Sequence, residues 1–539
     1  MNDATPGNEA SSATQSQGAA SGRGRSGTGL TIARNSIWMM ADSLGAVVAS
    51  FYCSITVARS LGPDVMGQYN YVLYFATVLR MVADVALPAT VRKFTAEYVG
   101  RGDYATARTL VRHALHLQAK LALGALAVGF GFVAVIFPVE QRTVAVLAVL
   151  GILPAMLLTT PAGALAATEN VSHVVASSLA ATIVNLGGVT AALLMGWGLP
   201  GVIASLLISR VVNCGLAFLF FRRVYEGLPG KGTGGALDPG LRKRLMRFAS
   251  QQLLLVLLYM LLFDRVEVFF LRSLASEREI AFFSISFTVV FYLLQIPMNL
   301  ASSAQVSVWA QQGRSAEEAA RTTATATWFV MLVAAPVLFG VAAVSGPLVE
   351  LVYGARYLPA IPVLTALSVL SLSLAVSQPA QFLLVGAERQ RFYLSWLCVA
   401  GAVGVAANFA LIPGHGALGA ALAKGAAGLV GAMGFLAYLT VVLGAKLPYG
   451  RMGKLLLASG VMFVGVRPLG RLLPALPALL VGIPLGVAIF VAFMRWLKCL
   501  DAADRGRLRR LDRLLPARVR GSYLTVIDLL VPGRPVDFV

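Results

Sequence analysis

Long apolar runs alternate with short polar connections along almost the whole chain, and the runs are too long for strands. Leu121–Val139 and Thr143–Thr168 contain no ionised side chain. At about 1.5 Å per helical residue, a run near 20 residues crosses the roughly 30 Å hydrocarbon core of a bilayer. The pattern predicts about fourteen spans. Six lie near 36–58, 67–91, 114–137, 143–168, 173–197 and 199–221. Six more lie near 248–271, 280–303, 322–344, 359–385, 392–412 and 416–443, and two less regular ones near 453–467 and 475–497. Arg467-Pro468 cuts the thirteenth short.

The polar punctuation repeats. ARSLGPDVMGQYNY (Ala58–Tyr71) is answered by LRSLASEREIAFFS from Leu271, each between two apolar runs. With an offset of 213, Arg59-Ser60-Leu61 falls on Arg272-Ser273-Leu274 and Arg108-Thr109 on Arg321-Thr322. Further on the offset becomes 218, where Pro161-Ala162 meets Pro379-Ala380, and Gly198 and Gly201 meet Gly416 and Gly419. The chain is therefore an internal duplication with six spans per copy. An even number gives both copies the same orientation, with their symmetry axis along the membrane normal. The expected architecture is an all-α polytopic membrane protein: two like-oriented six-helix lobes around a central cleft, plus about two C-terminal helices. The segments are a disordered tail over 1–30, a first lobe over 31–222 and a basic linker over 223–247. A second lobe over 248–444, two spans within 445–498 and a basic amphipathic tail over 499–539 complete the chain.

Composition agrees with that architecture. Apolar residues make up 58% and charged residues 13%, with mean hydropathy +0.77. The formal charge of +20 is concentrated in alternate connections, as topology signals are. With the N-terminus cytosolic, the inner loops hold roughly nineteen Lys and Arg and the outer loops about seven. Both termini are then cytosolic, and Arg505–Arg520 should lie along anionic headgroups, or else form a solvated helix. No basic domain with interleaved aromatics suggests nucleic acid. The four cysteines are scattered without paired spacing, so neither disulfides nor a zinc site is expected. No cleavable signal peptide precedes the first span.

ARSLGPDVMGQYNY, followed by the basic RKFTAEYVGRGDYATAR, resembles the start of bacterial polysaccharide exporters, the O-antigen-type flippases. These belong to the multidrug/oligosaccharidyl-lipid/polysaccharide (MOP) exporter superfamily. Phe263–Ser284 and Leu351–Phe392, with its Tyr-Gly-x-x-Tyr-x-x-Ala run, extend the resemblance over roughly residues 31–445. It implies a flippase that carries a polyprenyl-diphosphate-linked oligosaccharide from the cytosolic to the outer leaflet of the inner membrane. It also implies membrane lipids and polysaccharide polymerase machinery as partners, and no cofactor.

A dianionic head cannot cross hydrocarbon bare, so such a carrier needs a polar, cationic cleft and neither nucleophile nor metal. Four basic residues at membrane depth are candidates for substrate binding. Arg210 lies about ten residues into its span, near mid-membrane, where a guanidinium fork suits a phosphate. An interhelix structural role is its alternative. Arg80 has Asp84 four residues on, on the same helical face. The two make either a diphosphate contact tuned by Asp84 or a self-neutralising pair. Lys424, among small residues, faces the cleft or snorkels to the outer side.

Asp264, Arg265 and Glu267 crowd the outer end of the seventh span, as a gate or interlobe ion pair or, through Arg265, as a substrate contact. The first copy carries Phe51-Tyr52 where the second has Asp264-Arg265, so the lobes are not chemically equivalent. Asp42 is the candidate for ion coupling, a hydrogen-bonded structural acid being the alternative. Tyr69, Tyr71, Tyr74, Tyr353 and Tyr357 could stack on sugar rings near the outer mouth or form an interfacial belt. His113 and His116 have no further ligands nearby for a metal. A cation-coupled multidrug antiporter of the same superfamily would favour an acidic cleft. A polymerase or ligase would be expected to need a large catalytic outer loop, and the longest here is only about Ser345–Ala360.

Overall fold

The computed structural model describes residues 10–84, 87–168, 170–226, 239–241, 243–247, 249–250, 253, 264–312, 315–387, 389–501, 504 and 506. Four expected segments lie partly or largely outside them: the N-terminal tail at 1–9, the seventh span at 248, 251–252 and 254–263, the basic linker at 227–238 and 242, and the C-terminal tail at 502–503, 505 and 507–539. The described residues are 91% helical and contain no strand.

The first half comprises α1 (Ala10–Ala83), α2 (Leu87–Gly100), α3 (Tyr104–Ile136), α4 (Val139–Leu150), α5 (Ile152–Ala167), α6 (Val171–Leu194) and α7 (Gly198–Glu226). The second comprises α8 (Glu267–Leu274), α9 (Glu277–Gln312), α10 (Ala316–Ala343), α11 (Ser345–Tyr353), α12 (Ala360–Leu370), α13 (Leu372–Gly386) and α14 (Gln390–Ala437). After one π-helical turn follow α15 (Tyr449–Val466), the short α16 (Leu469–Leu472) and α17 (Ala475–Trp496). The helical backbone of α1 starts at Ala10, inside the stretch whose composition suggested a disordered tail; no proline interrupts the chain between Pro6 and Pro63.

Eleven helical runs among the described residues are long and apolar enough to cross a membrane. Two are of double length: Ile37–Ala83 with 47 residues and Arg391–Val442 with 52. Each is broken by a glycine in a backbone region that other residues avoid, Gly62 (φ 80°, ψ 176°) and Gly416 (φ 53°, ψ −128°). Counting each broken run twice, eleven runs give thirteen crossings, close to the expected pattern. The thirteenth expected span is α15, which α16 extends to an apolar run of 24 residues.

The chain divides into two compact units, Met1–Thr56 with Phe75–Leu254, and Val57–Tyr74 with Leu255–Val539. Val57–Tyr74, which the sequence places in the first lobe, thus packs with the second unit. In the first unit α5 lies against α2, α3 and α7, while α6 and α7 form a tight hairpin. Small residues permit that approach: a Cβ on Gly188 would stand 2.9 Å from the Ser205 Cβ. Val91, Phe94, Leu110, Ala164 and Leu241 pack together and join α2, α3 and α5 to residues 239–241. In the second unit α10 packs on α9, α13 and α15, and α14 on α8, α12 and α13.

The duplication is visible in backbone detail within each unit. Gly198 and Gly416, equivalent at the offset of 218, both have positive φ, 59° and 53°. Their partners Gly201 and Gly419 both sit where helices cross too closely for a side chain. A Cβ would be 2.6 Å from that of Trp197 in one case and would strike the Leu411 carbonyl in the other. The fourth span of each copy is also broken midway. Gly151 (φ −65°, ψ −11°) separates α4 from α5, and Ser371 (φ −68°, ψ −10°) separates α12 from α13, with Pro161 and Pro379 in the helices that follow.

Candidate functional site

The first unit holds a buried polar chain that crosses three helices. The Arg80 guanidinium lies 3.5 Å from the Asp84 carboxylate. The other Asp84 oxygen accepts a hydrogen bond from the Gln118 amide, and the Gln118 carbonyl accepts one from the Thr160 hydroxyl at 2.9 Å. Gln118 and Thr160 are completely buried. Asp84, at the end of the α1 run, is therefore tied to α3 and α5 as well as to Arg80. Sequence reasoning found the Arg80–Asp84 spacing and missed Gln118 and Thr160; Gln118 lies among the polar residues His116 and Lys120 of α3, where an amide does not stand out.

Arg210 sits half-buried on α7 with its guanidinium over the break between α4 and α5. A Cβ on Gly151 would stand 2.8 Å from its Nη1 and 3.4 Å from its Cδ. The glycine thus makes room for the arginine. The second copy reverses the arrangement: glycines 425 and 428 on α14 receive Leu370 and Ser373 from the broken span.

The second unit brings three of the expected residues together. Lys424 Nζ donates to the Asp264 backbone carbonyl and stands 3.4 Å from both Glu267 carboxylate oxygens. The side chains are 5% and 4% exposed, so this pair is internal and Lys424 does not snorkel. The Asp264 carboxylate accepts from the Arg265 backbone N–H at 2.8 Å. Phe287 on α9 lies beneath both cations, its centroid 5.4 Å from the Arg265 guanidinium and 5.2 Å from the Lys424 ammonium. The buried Arg265 Nε has no hydrogen-bond partner among the described residues. Asp42 is half-buried on α1, and no described residue forms an ion pair with it.

The two repeated turns meet within the second unit. Gly67 packs on the backbone of Glu277 so closely that a Cβ would strike its carbonyl. Asp64 pairs with Arg278 at 2.7 Å, and Arg272 pairs with Glu277 while its guanidinium lies 5.2 Å from the Tyr71 ring. Arg59 donates to the Val352 carbonyl at 2.9 Å and to that of Leu351. Glu279 accepts from the Ala417 N–H at 2.6 Å, at the Gly416 bend.

The tyrosines correct an expectation. Tyr71, Tyr74, Tyr353 and Tyr357 are buried, so they form neither a sugar platform nor an interfacial belt. Tyr71 and Tyr74 pack on Phe269, and the Tyr357 hydroxyl donates to the Ala58 carbonyl at 3.1 Å. The reason is that the turn they flank is covered by the second unit's own helices. Only Tyr69 of the five is left part-exposed. His113 Nδ1 lies 2.9 Å from the Thr109 carbonyl, a local helix contact. Among the described residues no group of three or more His, Cys, Asp or Glu is placed to hold a metal.

Eleven apolar helical runs among the described residues, two of them double-length and broken at a glycine, define a multi-pass helical membrane protein. A family profile described as "Polysaccharide biosynthesis protein" matches residues 56–362, over half of the chain, and the chain belongs to that family. No curated protein matches it in sequence. Among solved structures it is similar to the lipid II flippase MurJ in an inward closed conformation, with TM-score 0.67 and 13% identity over 85% of this chain and 97% of that one. It is also similar to a multidrug resistance MATE family transporter of the MOP superfamily in an inward-facing conformation, with TM-score 0.60 and 17% identity over 74% and 95%. A MOP superfamily transporter from Pyrococcus furiosus gives TM-score 0.54 and 17% identity over 77% and 96%.

Proposed function

We propose that the chain is a flippase that moves a polyprenyl-diphosphate-linked oligosaccharide from the cytosolic to the outer leaflet for cell-surface polysaccharide biosynthesis. It works by alternating access in the cell inner membrane, with both termini cytosolic. The observation that carries this reading is the polysaccharide biosynthesis family match over 56–362 on a fold shared with a lipid flippase. The Lys/Arg bias of the connections supports the orientation.

In this reading the paired turns around Asp64–Arg278 and Gly67–Glu277 form the outer closure, which must part for the head group to leave. Arg210, Arg80, Lys424 and Arg265 are the candidate contacts for the diphosphate, Arg80 beside Asp84 and Lys424 beside Glu267. Asp264 and Glu267 set the geometry of Arg265 and Lys424, and Asp42 remains the candidate for ion coupling.

The test is the accessibility of the lipid-linked precursor to an external sugar-binding probe, in cells with and without the chain. Precursor should reach the outer face only with it. Arg210→Ala and Arg265→Ala should abolish surface polysaccharide while leaving the protein in the membrane. Equal precursor exposure without the chain overturns the flippase reading, and wild-type polymer in both variants overturns the site. Sodium- or proton-dependent binding of cationic dyes, with no binding of polyprenyl diphosphate, would favour the antiporter instead.

A further inference from the structure

The duplication has a second imprint, at the helix ends that the charge bias assigns to the cytosol. In the first unit a groove of about 590 Å³ opens between α3 and the end of α7. In the second unit a cavity of about 470 Å³ lies between α10 and the segment that follows α14. The offsets that register the two copies superpose these hollows. Arg108 and Leu115 of the first correspond to Arg321 and Trp328 of the second at 213. Tyr225 and Glu226 correspond to Leu443 and Gly444 at 218. A hollow kept at the same place in both copies belongs to the architecture of the repeat.

The two differ in how their cations are satisfied. In the second copy Arg321 is held by Glu317 at 2.6 Å. Arg451, which reaches the cavity from α15 and lies 5.0 Å from the Trp328 ring, is held by Asp501 at 2.8 Å and Asp504 at 2.7 Å. With Lys446, which also lines the cavity, three cations there face three carboxylates of the chain.

In the first copy three guanidinium groups, from Arg108, Arg112 and Arg222, face one carboxylate, Glu226. Glu226 pairs with Arg222 at 2.7 Å. Arg108 donates to the Tyr225 carbonyl at 2.9 Å, and Arg112 is exposed with no ion pair among the described residues. The Tyr225 hydroxyl is buried without a hydrogen-bond partner. Towards the membrane the groove continues along Leu115 and Phe218.

An apolar trough between two spanning helices that ends in a surplus of guanidinium groups fits a phosphate on an acyl chain. Arginine forks bind phosphate bidentately, and basic pockets between membrane helices on the cytosolic side recognise anionic headgroups. We propose that the α3–α7 groove is a binding site for one anionic glycerophospholipid of the inner leaflet. Its phosphate is held by Arg108, Arg112 and Arg222, and a chain lies along Phe218. The equivalent hollow of the second copy is closed to lipid by Glu317, Asp501 and Asp504. The leaflet rests on the orientation given above; the binding itself does not.

The full chain, purified in a neutral detergent, should be stabilised against heat by dioleoyl-phosphatidylglycerol at a concentration at least tenfold lower than dioleoyl-phosphatidylcholine requires. Arg112→Gln with Arg222→Gln should remove that preference. Both residues lie at the helix surface, so the variant should keep the wild-type midpoint without lipid. Arg321→Gln, in the self-neutralised copy, should keep the preference. A preference that survives in the double variant, or one lost equally in Arg321→Gln, would overturn the assignment. So would a preference for polyprenyl phosphate over phosphatidylglycerol that depends on Arg112 and Arg222, since the groove would then belong to the substrate.

Discussion

Lys424→Met should be among the most damaging single substitutions in the second unit, and a second substitution should repair it. The Lys424 ammonium is equidistant, at 3.4 Å, from both Glu267 oxygens, and the side chains are 5% and 4% exposed. At that separation and an effective dielectric near 20, the Coulomb attraction is about 5 kcal/mol. Desolvation of the two ions offsets much of it in the intact protein. Removing one partner leaves the other buried and uncompensated, which typically costs about 3–5 kcal/mol, while replacing both by apolar side chains is often neutral or stabilising. Lys424→Met and Glu267→Met should therefore each lose roughly 3–5 kcal/mol in an SDS titration from mixed micelles, and the double variant should lie within about 1–2 kcal/mol of the wild type. The same double variant separates structure from substrate binding. If Lys424 acts only on Glu267, the repaired protein restores surface polysaccharide; if the ammonium also meets the diphosphate, it is stable and inactive. A single Lys424→Met as stable as the wild type, or a double variant no better than it, would refute the reasoning.

Other consequences follow from particular contacts. Gly416→Ala should destabilise more than Gly198→Ala in the same titration. Both force a side chain into positive φ, at roughly 1–2 kcal/mol, but only at Gly416 does the Cβ strike a carboxylate, that of Glu279; at Gly198 the nearest atom, Pro200 Cδ, is 3.9 Å away. Gly67→Leu should prevent the repeated turns from closing, giving normal membrane levels but loss of polysaccharide export; normal export would show that the closure is not needed. Gly151→Val should displace the Arg210 guanidinium and reproduce the Arg210→Ala phenotype, measured as surface polymer at equal protein. Burial and the neighbouring Asp501 charge raise the Asp504 carboxyl above the usual aspartate range, against the pull of Arg451. A folded value above the unfolded one means that stability from this group is full below the ordinary aspartate range and is lost as pH rises through the folded value. Asp504→Asn should thus be more stable than the wild type at pH 7.5, and the difference should vanish as the pH falls towards 4; a constant difference would exclude the linkage.

The parts of this protein that were legible in the sequence depend on local rules. Span positions follow from apolar length, and the equivalence of Gly198 with Gly416 and of Pro161 with Pro379 follows from a fixed offset. Arg80 and Asp84 are one helical turn apart, so their pairing could be read directly. The remainder depends on which helices meet. Lys424 and Glu267 are 157 residues apart, and Gln118 is 34 from Asp84 and 42 from Thr160; no periodicity joins such positions. For the same reason the tyrosines beside the first turn looked interfacial. Nothing local shows that α8 and α9 cover them. The grooves at α3 and α10 were half legible, since Arg108 and Arg321 stand out in the repeat but the acids that neutralise the second do not.

The hairpin bends at Gly198 and Gly416 also bear on how this protein can be labelled. Each reverses the chain within a residue or two, with Gly201 packed on the Trp197 and Ala192 side chains and Gly419 on the Leu411 backbone, so no slack remains there for an inserted epitope or fluorescent reporter. The turn at Gly100–Asp103 is different: it is open around its glycines, and its capping bond, from Thr106 N–H to Asp103, lies at one edge. A reporter placed between Arg101 and Gly102 should leave both bundles intact, whereas one at either bend would pry apart a crossing.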